Sequence, residues 1–122
     1  MEKILFVALG GAAGAVCRYL LGLINIRIDF PVITLAINLI GAVIIGFVTG
    51  LAAEKSIHTN ITLLLKTGFC GGFTTFSTFS LETLTLIENG EALAGGIYGI
   101  LSLVLCVAGV WLGQCLTKAL LL

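Results

Sequence analysis

The side chains able to do chemistry are concentrated in one short run. Residues 67–80 read Thr-Gly-Phe-Cys-Gly-Gly-Phe-Thr-Thr-Phe-Ser-Thr-Phe-Ser, with three glycines and six hydroxyl residues in fourteen positions. Hydroxyls donate and accept hydrogen bonds without carrying a charge. Phe76 and Phe79 are three apart, so on a helix they share a face. An aromatic ring has a negative face and a positive edge, so ring edges attract a small anion without holding it by a strong hydrogen bond. A weak ligand suits conduction, because an ion held too tightly does not leave. Packing against lipid or a neighbouring helix is the plainer reading of the same two rings.

Other polar residues are few. Arg18, Asn38, Tyr98 and Ser102 lie in apolar stretches, and Glu82 is the one acid inside such a stretch. Arg18 either snorkels to an interface or serves a pathway. Asn38 either donates to an anion or bonds a neighbouring helix. The single histidine, His58, sits in a polar segment with no carboxylate or nucleophile beside it in sequence. Cys17, Cys70, Cys106 and Cys115 form no paired motif and are expected as buried small hydrophobes. No hydrolase, metalloprotease or phosphate-loop signature occurs, so no enzyme is expected. Gly10-Gly11-Ala12-Ala13-Gly14 is not a dinucleotide-binding fingerprint, and no alternation of strands and helices follows it.

These residues need elements to position them, and composition decides which. Of 122 residues, 59% are hydrophobic and only 10% charged, against about 25% charged in soluble domains. So few charges cannot cover a water-soluble globule. Disorder is excluded by the apolar content. A formal net charge of zero leaves no basic footprint for nucleic acid. An all-α integral membrane protein remains, as a single membrane domain over 1–122.

One span takes about 20 apolar residues. Four fit here, at about 4–24, 32–53, 61–87 and 92–116. The first follows Lys3 as a signal peptide would, yet it contains Arg18 and continues past the usual length, so it is expected as a retained span. Gly10 and Gly14, Gly46 and Gly50, Gly95 and Gly99, and Gly109 and Gly113 are each four apart, which lets helix backbones approach closely in lipid. The third span departs from this pattern. Gly71-Gly72 and β-branched Thr74 and Thr75 weaken a helix, so a break is expected near 71–75. Backbone groups freed at membrane depth cannot face lipid and must meet protein, water or an ion.

Four spans place both termini on one side, with Lys3, Lys55, Lys66 and Lys118, against Arg27 on the other. The positive-inside rule then puts the termini in the cytoplasm. A chain inserting both ways would show little asymmetry, so the bias suggests one fixed orientation.

The string Gly-Phe-Cys-Gly-Gly-Phe-Thr-Thr-Phe-Ser-Thr-Phe at 68–79 resembles the signature of the Fluc (CrcB) fluoride channels. Residues 10–15 with Arg18-Tyr19, and the stretch from Thr34 to Gly41, resemble the family's first- and second-span motifs. The resemblance covers the whole chain and implies an antiparallel, inverted dimer with two fluoride pores in a bacterial or archaeal cell membrane. It implies passive export of cytoplasmic fluoride and hence fluoride resistance. Asn38, Phe76 and Phe79 match the pore asparagine and phenylalanines, and Ser77 and Thr78 the hydroxyls beside them. Arg18 and Glu82 match vestibule residues. Tyr98 and Ser102 match residues that line or support the pore. The break would hold a structural Na⁺ through backbone carbonyls of Gly71 and Thr74, doubled by a partner chain. Cys106 departs from the pattern, since some members carry a hydroxyl there. With the charge bias, the partner is either a second copy or an oppositely inserted homologue.

The rival reading is a small multidrug-type cation/proton antiporter of similar length. It requires a membrane-embedded carboxylate to couple protons to a cation. Span one carries Arg18 and no acid.

Overall fold

The computed structural model describes residues 1–122 and is all-helical. α1 (Glu2–Gly22), α2 (Val32–Ala53) and α6 (Ala92–Leu121) are each long and apolar enough to cross a membrane. Between α2 and α6 the chain runs in pieces. α3 (Thr59–Thr62) passes into a π-helix (Leu63–Cys70), then α4 (Gly71–Phe73), and after an interruption α5 (Phe76–Glu88). Only 18 of the 122 residues are buried, and large apolar side chains such as Leu9, Leu103 and Trp111 point outward. A surface of that kind belongs against lipid or another protein.

Two seams hold the fold together, α2 against α6 and α1 against the π-helix. Backbones touch at both. A Cβ on Gly46 would fall on the Val110 carbonyl, and one on Gly14 would fall on the Phe69 carbonyl. Glycine is needed there for want of space, since lipid offers no hydrophobic drive and helices associate by packing.

α6 runs to Leu121, five residues past the expected end at 116. Nothing in Thr117–Leu122 breaks a helix, and Thr117 anchors the extra turn: it is 1% exposed and its Oγ1 donates to the Phe47 carbonyl at 2.9 Å. Its 30 residues span about 45 Å, longer than a hydrocarbon core of about 30 Å. α1 ends at Gly22, so Leu23 and Ile24 fall in the connection to α2. The polar segment after α2 turns at Lys55, whose φ of 54° is left-handed. His58 then caps α3, its Nδ1 accepting from the Asn60 amide, and the Asn60 side chain donates to Glu2 at 2.8 Å.

The interruption falls at the C-terminal end of the expected range, on the threonines and not on the glycines. Gly71 and Gly72 are helical, and the extended residues are Thr74 (φ −79°, ψ 155°) and Thr75 (φ −148°, ψ 124°). β-Branched side chains favour extended backbone. Gly72 instead lets α4 lie on α1, where a Cβ would strike the Gly11 carbonyl. The π-helix has no signal in the sequence.

Candidate functional site

Breaking the helix at Thr74 and Thr75 frees backbone groups, and side chains from two other helices meet them. Asn38 on α2 clamps Thr75 at both ends: its Nδ2 donates to the Thr75 carbonyl at 3.0 Å, and the Thr75 amide donates to its Oδ1 at 2.8 Å. An amide group has two N–H donors, so one remains free. Arg18 on α1 donates from Nε to the Gly72 carbonyl at 3.1 Å. Thr75 also caps α5, its Oγ1 accepting from the Thr78 amide at 3.2 Å. The amides of Phe76 and Ser77 find no acceptor in the chain. Such orphan N–H groups at a helix start favour an anion. The Gly71 and Thr74 carbonyls likewise receive no hydrogen bond. Free carbonyl oxygens are ligands for a hard cation.

The hydroxyls of the run divide by partner. Thr74 donates to the Cys70 carbonyl at 2.7 Å and Ser80 to the Phe76 carbonyl at 2.8 Å, each one turn back on its own segment. Ser77 is exposed, with its Oγ 3.4 Å from Thr75 Oγ1. Thr78 is half-buried and accepts from Thr75 Oγ1 at 3.1 Å.

A second cluster surrounds Glu82. Its Oε1 accepts from Thr34 Oγ1 at 2.6 Å, and its Oε2 from the Tyr98 hydroxyl at 2.7 Å. Tyr98 is 0% exposed. It lies behind Phe79 in a chain of rings: Phe76 to Phe79 at 5.6 Å, Phe79 to Tyr98 at 4.9 Å and Tyr98 to Phe30 at 5.5 Å, the last two edge-on. Phe76 at the near end is 79% exposed.

Two cavities flank the break. One, of about 330 Å³, is lined by Arg18, Thr34, Thr75, Thr78 and Glu82 among others. The other, of about 510 Å³, is lined by Asn38, Thr74, Thr75, Phe76, Phe79 and Ser102, with Cys70 and Cys106. Thr75 belongs to both. Of the residues singled out in the sequence, Arg18, Glu82 and Thr78 border the first, and Asn38, Phe76, Phe79 and Ser102 the second. Tyr98 borders neither, and Ser77 stands on the outer face. Sequence reasoning missed Thr34 and Thr75 as individual residues. Thr34 lies one helical turn before Asn38 on α2, a spacing that could have flagged it.

The chain is similar to known proteins over nearly its whole length. Residues 5–114 match the family model described as CrcB-like protein, Camphor Resistance (CrcB). The chain is 45% identical to a protein of Rhizobium leguminosarum bv. trifolii named fluoride-specific ion channel FluC, over 98% of this chain and 99% of that one. A protein of the same name from the archaeon Methanococcus maripaludis is 42% identical, over 93% of this chain and 94% of its own. One from Geobacter sp. (strain M21) is 40% identical, over 98% of this chain and all of its own.

Proposed function

The chain belongs to the CrcB family, and from that premise we propose that it is a fluoride-specific ion channel whose path runs through the two cavities that share Thr75. It is a multi-pass membrane protein and not an enzyme. The observation that carries the path is the joint lining. A basic side chain and the hydroxyls of Thr34 and Thr78 stand on one side of the break, with the Asn38 amide and two phenyl rings on the other. Fluoride is small and strongly hydrated, so these donors must stand in for its water, and ring edges complete the shell without trapping it. Movement is passive on this reading, with neither a nucleotide site nor a carboxylate in the first span to couple it to a second ion.

The broken segment acts as the fourth crossing. One chain leaves the path half-open, because Phe76 is exposed and nothing lies within 4 Å of a Cβ on Gly71. A second chain, inserted in the opposite sense, closes it. Gly71 and Thr74 carbonyls from both chains would then converge, and that concentration of oxygen suits a structural Na⁺. The relatives named above come from bacteria and an archaeon, which supports a cell-membrane location. Lysine bias toward one side favours a fixed orientation and an oppositely inserted homologue as partner. Labelling Lys55 from each side of the membrane tests this: equal labelling from both sides removes it.

Fluoride efflux from liposomes, with chloride and ethidium as controls, tests the function. Fluoride alone should leave. Efflux of ethidium without fluoride would install the antiporter reading instead. Phe76→Ile and Phe79→Ile should each sharply reduce flux while assembly persists, and undiminished flux in both would remove the ring edges from the mechanism.

A further inference from the structure

We propose that a third cavity, of about 460 Å³ between the α1–α2 connection and the end of α5, is the mouth of the anion path on that side, and that the carboxylates of Asp29 and Glu91 slow anion entry through it. This rests on the reading of the two cavities beside the break as the path.

Two observations join this cavity to the path. Glu82 borders both it and the 330 Å³ cavity, just as Thr75 borders both cavities at the break. Phe30, also on its wall, meets Tyr98 edge-on at 5.5 Å, and Tyr98 in turn meets Phe79 at 4.9 Å. The hydrogen bond from Thr34 to Glu82, at 2.6 Å, holds α2 to α5 where the two cavities adjoin. The outer lining comes from the chain connections. Asp29 belongs to the segment between α1 and α2, and Asn89 and Glu91 to the turn between α5 and α6. Asp29, Asn89 and Glu91 are exposed and Glu82 is half-buried, so the lining passes from solvent to interior toward the break.

The charge along this series of cavities changes step by step. The 460 Å³ cavity is lined by three carboxylates, those of Asp29, Glu82 and Glu91, and by no basic residue. Arg18 and Glu82 line the next, and the cavity beyond Thr75 has no charged residue on its wall. Arg27 and Glu88, the other charged residues at this end of the chain, border none of the three. Both Glu82 oxygens are engaged, by Thr34 and by Tyr98. A cleft lined by one sign of charge focuses its field, so an approaching anion is repelled and its entry slowed. No group of three or more acidic, histidine or cysteine side chains is placed to hold a metal ion, so the rim carboxylates act here through charge and not as ligands. Fixed charge at a mouth alters the rate of crossing and leaves the final distribution of the ion unchanged. It also acts without regard to ion size, so discrimination between fluoride and chloride stays with the cavities at the break.

The test compares the full native chain with a double variant, Asp29→Asn with Glu91→Gln, by fluoride efflux from liposomes at two ionic strengths set with potassium gluconate. At about 0.01 M the Debye length is about 30 Å and the rim charges reach an ion in the cavity, whereas at about 1 M it is about 3 Å and they are screened. We expect the double variant to release fluoride about threefold faster than the native chain at the low ionic strength and at the native rate at the high one. Asp29→Glu with Glu91→Asp keeps both charges and should follow the native chain at both. Chloride should stay excluded in every variant. The proposal is overturned if the double variant is no faster than the native chain at low ionic strength. It is overturned equally if the gain persists undiminished at high ionic strength, since the effect would then be one of shape. Absence of fluoride release from the native chain would sink the channel reading and the mouth with it, whereas equal release by native chain and double variant strikes the mouth alone.

Discussion

The α2–α6 seam and the break at Thr74–Thr75 solve the same problem in opposite ways. Both bring backbone close to backbone in a medium without water. At the seam the helices stay whole, so every internal carbonyl keeps its partner and only space is required. Gly46 and Gly113 provide it. At the break the helix is interrupted, and its freed groups must be answered from outside the segment. Asn38 and Arg18 answer them from α2 and α1. A seam can therefore loosen without altering chemistry, whereas the break exists only while its partners hold it. The groups left unanswered, the first amides of α5 and the Gly71 and Thr74 carbonyls, are those available to ions.

The largest effect should come from removing the clamp. Asn38→Ala strips partners from both the Thr75 amide and its carbonyl. Each buried group left unsatisfied costs about 1–3 kcal/mol, so stability should fall by about 2–6 kcal/mol. Thermal unfolding in detergent reads that loss, and fluoride efflux should vanish with it. Asn38→Asp keeps the acceptor for the Thr75 amide and should lose less. Equal stability of Asn38→Ala and the native chain would mean that the break holds itself, and the contrast with the seam would collapse.

Next is the seam. Gly113→Val places a side chain on the Val43 carbonyl, and overpacking of this kind costs about 3 kcal/mol at the upper end of its range. Flux per folded molecule should change little, because neither residue borders either cavity. A selective loss of flux in protein of normal stability would show that the seam also sets the path.

The two regions also differ in how far the amino-acid sequence exposes them. Apolar runs and glycines four apart mark α1, α2 and α6 directly, because close packing needs only residue size and period. The run at 67–80 announces a break by its composition, yet the glycines it points to are helical and the threonines beside them are extended. Their roles depend on what α1 brings up against them, which a local pattern does not contain. For the same reason the hydroxyls look alike in sequence. Thr74 and Ser80 turn back on their own segment, Thr75 becomes a cap, and the choice is made by backbone geometry. Within the π-helix, Gly68 packs against the Gly10 and Val7 backbone of α1, a contact that no local pattern announces. Thr34 and Tyr98 come together on Glu82 from elements 64 positions apart, and no spacing rule joins them.

That Glu82 cluster supplies an intermediate case, in which side chains answer a side chain. Tyr98→Phe removes one donor to the carboxylate and keeps the rings of Phe79 and Phe30 in contact. A hydrogen bond to a charged group contributes about 1.5 kcal/mol or somewhat more, and stability should fall by that amount. Thr34→Val removes the other donor. The two substitutions share one partner, so their effects should be non-additive in a double-mutant cycle. Strict additivity would mean that the two hydroxyls do not act on Glu82 as a unit.

The smallest effect should be at Ser80. It sits on α5 within the polar run, one position beyond Phe79, and composition alone would place it beside Ser77 and Thr78. Its hydroxyl instead donates to the Phe76 carbonyl on its own helix, and the residue is exposed and borders neither cavity. A hydroxyl bonded one turn back adds little to a helix and slightly perturbs it. Ser80→Ala should therefore change stability by less than about 0.5 kcal/mol, as exposed substitutions commonly do, and leave fluoride efflux at the native rate. Thr78→Val, which removes a hydroxyl that borders the 330 Å³ cavity, should reduce efflux measurably in the same assay. If instead Ser80→Ala slows fluoride and Thr78→Val does not, the path follows the outer face of α5 and the assignment of the two cavities must be redrawn.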